Sequence, residues 1–137
     1  MSKTTTRFIY FLAPLVFIGS EIIRTFVRPE YGKAKYGLLA ETLGWLPNLL
    51  AGFAIMALAV SGLQLYQDAV SKTVSRNHRI LLLLASSAIA LTGLILHEIF
   101  QKGTGLYYDV NDIVATVAGV LIGAFYFFLV HLRFSES

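Results

Sequence analysis

Cysteine is absent from the 137-residue chain. That excludes disulfides, thiolate zinc sites, iron–sulfur clusters and covalently attached haem. Charge is scarce too. Asp, Glu, Lys and Arg make up 14% of the sequence, against about 25% in soluble domains. Hydrophobic residues supply 56%, and the mean hydropathy is +0.69. The few charges leave long gaps: no acidic or basic side chain occurs in the 26 residues Thr42 to Gln67, the 17 from Ile80 to Leu96, or the 18 from Ile113 to Val130. A bilayer core about 30 Å thick is crossed by about 20 helical residues. These features exclude a soluble enzyme, a secreted disulfide scaffold and a nucleic-acid-binding domain. The pI near 9.3 reflects three excess charges spread along short loops, not a nucleic-acid surface. No Gly-rich phosphate loop, nucleophile elbow or His-x-x-x-His pair is present, so no catalytic residue is indicated.

What is there predicts an all-α membrane protein, a single four-helix transmembrane domain over residues 1–137. The spans fall at about 7–27, 47–66, 80–100 and 112–132. The first has the basic start of a signal peptide in Lys3 and Arg7. Its apolar stretch is followed by Glu21-Ile-Ile-Arg24 instead of small cleavage-site residues, so it reads as a retained helix. Pro14 should kink it, which neighbouring helices tolerate in a membrane. Pro47 suits the first turn of the second span. Asp68 to Arg79 reads as a polar loop, and Gly103-Thr-Gly105 as a short turn that makes the third and fourth spans a tight hairpin.

An even number of spans puts both termini on one face. Lys3, Arg7, Lys72, Arg76, Arg79 and Arg133 belong to that face, and Arg24, Arg28, Lys33, Lys35 and Lys102 to the other. Six against five favours both termini in the cytoplasm. The acidic residues divide more unevenly. Glu21, Glu30, Glu41, Glu98, Asp109 and Asp112 fall on the loop face, leaving Asp68 and Glu136 for the terminal face. The terminal face otherwise offers basic connectors and a tail, so a site is expected on the loop face.

Helical spacing groups these residues further. Glu21, Arg24 and Arg28 form one stripe, and Glu98 and Gln101 share a face. Asp109, Asp112, Thr116, Gly119 and Gly123 fall within about 80° of helix. Ala115, Gly119 and Gly123 are small residues that let another helix come close. The expected site is therefore Glu21, Arg24, Glu98, Gln101, Asp109 and Asp112, with carboxylates of the hairpin meeting Arg24 or Arg28. The plainer readings are an interfacial or snorkelling role for Arg28, Lys102, Asp109 and Arg133, and N-capping by Asp109 or Asp112. A structural Glu21–Arg24 or Glu98–Arg24 bridge competes equally with a binding role. His97 and His131 end their spans on opposite faces and cannot share one haem iron, while His78 sits in the solvated loop. No metal and no cofactor is expected. Trp45, Tyr107, Tyr108 and the run Phe125 to Phe128 read as interfacial or lipid-facing residues.

The segment Leu96-His-Glu98-Ile-Phe-Gln101, followed by Tyr108-Asp109-Val-Asn-Asp112-Ile-Val-Ala115-Thr116-Val-Ala-Gly119-Val-Leu-Ile-Gly123, resembles the VanZ-like family of small multi-pass membrane proteins. In that family a Glu-x-x-Gln ends one helix, and an Asp-x-x-Asp-Ile start with two glycines four apart opens the next. Thr116 stands where the family commonly has Asn, and a basic residue often found before the first Asp is missing from Gly103 to Tyr108. The resemblance marks Glu98, Gln101, Asp109, Asp112, Gly119 and Gly123. It implies the cytoplasmic (inner) membrane of a bacterium and a role in envelope biology. The founding member is associated with low-level resistance to teicoplanin, without an established reaction.

The expected function is thus non-enzymatic binding of a lipid-linked or amphiphilic cell-wall molecule, with membrane lipid as the surrounding partner. An accessory subunit of a larger membrane complex is the rival expectation. A small transporter or lipid-handling enzyme using the carboxylates as metal ligands or proton carriers comes third.

Overall fold

The computed structural model describes residues 3–70, 73–101 and 110–133, with the side chains of residues 3–6, Glu98 and Gln101 outside the description. Helix α1 (Lys3–Ile22) contains Pro14 and runs on through a π-helical turn, Ile23–Val27, into the short α2 (Arg28–Tyr31). A 3-10 turn, Ala34–Tyr36, precedes α3 (Leu38–Val70). Then come α4 (Arg76–Gln101) and α5 (Val110–Phe127), the last prolonged by a π-helical stretch, Phe128–Arg133. Among the described residues four helical stretches, Arg7–Tyr31, Leu38–Val70, Arg76–His97 and Val110–Arg133, are long and apolar enough to cross a membrane. The chain is an all-helical multi-pass membrane protein.

The span boundaries differ from the sequence expectation in three places. The first helix continues past Val27, because the π turn absorbs an extra residue without ending it: the Arg28 N–H bonds the Ile23 carbonyl. The second starts at Leu38, well before Pro47, which lies inside α3 and is buried. Gly37, at φ +54, turns the chain, and its carbonyl accepts the Glu41 N–H at 3.2 Å. Leu38 to Leu43 are helix formers with an acid in the first turn, and membrane packing tolerates the N–H that Pro47 lacks. The loop expected from Asp68 to Arg79 is mostly helix: α3 reaches Val70, and Ser75 caps α4 through its carbonyl to Arg79 N (3.1 Å). His78 is consequently in the first turn of α4, exposed, and not in a loop.

Helix α3 is apolar all round, as befits a helix contacted on several sides. It packs on α1, α4 and most extensively on α5. The α3–α5 approach depends on glycine. A Cβ on Gly119 would overlap the Leu49 carbonyl, with Leu49 C at 2.9 Å and Cα at 3.1 Å; one on Gly123 would overlap the Met56 side chain. From the other side, a Cβ on Gly52 would stand 2.7 Å from the Thr116 carbonyl oxygen. The third and fourth spans are neighbours, but the close approach belongs to the second and fourth. The reason is complementary: Gly52 meets Thr116 and Val120, whereas Gly93 of α4 has nothing within 4 Å. The turn at Gly103 to Gly105 lies outside the described residues.

The two ends of the bundle are tied differently. At the loop end, Ser20 Oγ donates to the buried Pro47 carbonyl at 3.2 Å. At the terminal end, polar contacts join all four spans. Ser61 Oγ donates to the Ile9 carbonyl at 2.7 Å, and the Tyr10 hydroxyl to Asp68, which Gln64 also holds at 3.0 Å. His131 is buried, its Nε2 3.0 Å from the Val60 carbonyl. Arg79 donates from Nε to the Val74 carbonyl (2.8 Å) and from its guanidinium to the His131 carbonyl (2.6 Å). The terminal face therefore holds the interhelical polar network, where basic connectors alone were expected. The aromatic run beside it also divides. Phe125 and Phe128 are exposed and stacked at 6.5 Å, Tyr126 is half-buried against Phe53 at 6.0 Å, and Phe127 is core.

Candidate functional site

The loop face is built from the end of the first span, the start of α3, the end of α4 and the start of α5. Its best-defined polar element is the pair Glu21–Arg24, three residues apart, with the Arg24 guanidinium 3.3 Å from Glu21 Oε1. Both side chains are a little over 40% exposed. An exposed pair of this kind is worth roughly 0–1 kcal/mol. It is not an internal strut. Arg24 stands on the π turn, and such turns are frequent at functional sites.

Carboxylates of the third and fourth spans were expected to meet Arg24 or Arg28; of these, the Glu98 side chain and Asp109 lie outside the described residues. Arg24 is engaged by Glu21 on its own helix instead of by Asp112. The cause is the position of α3. Pro47 takes the contact from Ser20 of α1, while Leu49, two residues on, takes Gly119 of α5. Two residues are about 200° apart on a helix, so α1 and α5 lie on opposite flanks of α3 at this end.

Asp112 is half-buried in the first turn of α5, above the seam where Ala115, Thr116, Gly119 and Gly123 are buried. Neither Asp112, Asn111 nor the exposed His97 is free of partners. The Glu98 and Gln101 side chains, and all of Asp109, Lys102, Tyr107 and Tyr108, lie outside the described residues. Within the described chain the structure thus joins Glu21 to Arg24, sets Asp112 on the same end of the bundle, and brings no ion pair between them. Among the described residues no group of three His, Asp or Glu side chains is positioned to hold a metal.

Beyond these residues, the rim of the face carries a basic and aromatic edge, in which the sequence reading missed Tyr36. Tyr31 and Tyr36 pack at 5.4 Å, and Lys35 Nζ lies 4.9 Å from the Tyr36 ring centroid. The spacing Tyr31–Lys35–Tyr36 across Gly32 was the available signal. Arg28, Glu30 and Glu41 are exposed around it.

Comparison with known protein families, curated proteins and solved structures finds no match to this chain. The likeness to the VanZ-like family therefore rests on the residues of Leu96 to Gly123 alone.

Proposed function

We propose that this chain is a VanZ-like integral membrane protein of envelope biology, resident in the cytoplasmic (inner) membrane of a bacterium with both termini in the cytoplasm. It works without catalysis. It binds a lipid-linked or otherwise amphiphilic cell-wall molecule at the loop face through Glu21, Arg24, Glu98, Gln101, Asp109 and Asp112. The observation that carries this reading is the exposed Glu21–Arg24 pair on a π turn at the end of a membrane span. Opposite charges presented together at the bilayer surface can engage an anionic group and a donor group of one ligand, while the span below meets its apolar part. The family likeness supplies the biology, a glycopeptide-resistance-like role.

In cells whose tolerance of teicoplanin depends on this protein, Glu98→Ala combined with Asp112→Ala should abolish that tolerance while the protein still inserts and folds. Unchanged tolerance with normal insertion contradicts the proposal.

The second reading, an accessory subunit of a larger membrane complex, draws on α4. Ala90 is its buried apolar residue, while Leu81, Leu84 and Ile89 face outward. Extraction in mild detergent separates the two readings. A lone monomer rules against the subunit, and a stable larger assembly supports it.

A further inference from the structure

Only residues 32–37 join the end of the first span to the start of α3, and two closed turns fold them back. The Gly32 N–H bonds the Arg28 carbonyl at 2.7 Å, and the Tyr36 N–H bonds the Lys33 carbonyl at 2.9 Å. Gly32 lets Arg28 lie close, since a Cβ there would stand 3.2 Å from Arg28 Cγ. Arg28, Lys33 and Lys35 thus issue from one compact bend, all exposed. None of the three forms an ion pair with a described residue. Glu30 is the one acid among residues 28–37, and at two residues from Arg28 it looks to a different side of the helix. Lys35 is oriented without being neutralised. Its Nζ lies 4.9 Å from the Tyr36 ring centroid, and a ring face holds a cation while leaving its charge for an anion. Tyr36 is itself braced by Tyr31 at 5.4 Å.

The bend stands at headgroup level. Helix α3 has 33 residues and is about 50 Å long, a little more than the ~40–45 Å of a bilayer with its headgroups. Its first turn, which carries Glu41, and the bend that feeds it therefore meet the lipid phosphates. Phe26 and Leu38, 71% and 78% exposed, flank the bend with apolar side chains that the upper acyl region of a lipid can cover.

We propose that this bend holds the headgroup of an anionic phospholipid. Arg28, Lys33 and Lys35 bind its phosphate, and Phe26 and Leu38 meet its upper acyl region. Three cations outside any ion pair, against one acid, select a negative headgroup, and the depth of the bend selects a lipid. The site shares the loop face with the proposed cell-wall ligand but none of its residues, so either can fail without the other.

The test is native mass spectrometry of the full chain, released from detergent containing phosphatidylglycerol and phosphatidylcholine of identical acyl chains. Phosphatidylglycerol should be retained in about tenfold preference, the scale of one or two net basic contacts at a membrane surface. Arg28→Gln, Lys33→Gln and Lys35→Gln combined, all on an exposed bend, should bring the two lipids to within about twofold of each other. Lys33→Gln alone should lower the preference several-fold. Arg7→Gln, Lys72→Gln and Arg76→Gln combined remove as many charges from the terminal face and should leave most of the preference in place. Inorganic phosphate should not displace the lipid, because the acyl region is part of what binds. Equal retention of the two lipids by the unaltered protein overturns the proposal. So does undiminished preference in either loop variant, an equal loss in the terminal-face variant, or displacement by inorganic phosphate.

Discussion

Gly119→Leu should force the second and fourth spans apart and cost more stability than any other single substitution in the bundle. The obstacle is backbone. A Cβ at this position runs into the Leu49 carbonyl, with the carbonyl carbon at 2.9 Å, and no rotamer change can move a helix backbone. Overpacking a well-packed core costs about 1–3 kcal/mol even when side chains can yield, so about 3 kcal/mol or more is expected here. Small residues matter because helix association in lipid relies on close packing, with no hydrophobic force between helices. The measurement is thermal unfolding in detergent, with Gly62→Ala as the control. Nothing lies within 4 Å of a Cβ on Gly62, and removing a helix-interior glycine should leave stability unchanged or raise it by about 0.5–1 kcal/mol. Equal melting of the two variants would show that the glycine seam does not hold α3 and α5 together.

The second large effect is expected at the other end of the bundle. His131→Ala removes a buried ring that packs on Phe127 at 5.1 Å and bonds the Val60 carbonyl. A large-to-small change at such a site costs about 2–4 kcal/mol through the cavity and the lost hydrogen bond. Arg79→Met should lose less in packing, but forfeits two charge-assisted bonds, to the Val74 and His131 carbonyls. Only the bond to His131 joins two helices; interhelical bonds in membranes average about 0.6 kcal/mol and reach about 1.7, so Arg79→Met should cost about 1–2 kcal/mol. The Arg79 bond goes to the His131 main-chain carbonyl, which alanine keeps, so it should survive His131→Ala and the double variant should lose about the sum of the two. A double variant that loses clearly less than the sum in thermal unfolding would show that the Arg79 contact depends on the His131 ring.

These two regions also mark what could be read from the sequence. The charge-free runs located four spans, because a membrane helix must be apolar for its whole length and little else produces such runs. The start of α3 was hidden. Glu41 reads as loop and Pro47 as a first-turn residue by the habits of soluble proteins, yet both lie inside a helix that begins at Leu38. The stripe Ala115, Gly119 and Gly123 announced a close approach but could not name the partner, since periodicity describes one helix at a time. Gly52 sits on the matching face of α3, and its approach to Thr116, with those of Leu49 to Gly119 and Met56 to Gly123, identifies the pair.

The terminal network was invisible for a different reason. Its acceptors at Ile9, Val60, Val74 and His131 are backbone carbonyls, which every residue possesses. Of the proposed site, the i, i+3 spacing of Glu21 and Arg24 was legible. Their isolation from Asp112 was not, because it depends on α3 standing between the first and fourth spans.

The missing cysteine gives the most direct test of the central claim, that four crossings gather the acidic residues on one membrane face. Any cysteine introduced is the only one in the chain. Lys33 in the first loop and Thr73 between α3 and α4 are both exposed, so Lys33→Cys and Thr73→Cys report the two faces. In intact cells, a membrane-impermeant maleimide should label Lys33→Cys and spare Thr73→Cys until the membrane is opened. The reverse pattern would keep the two faces and invert the proposed orientation. Labelling of both positions from the same side would contradict the account, because the loop-face cluster would then not exist.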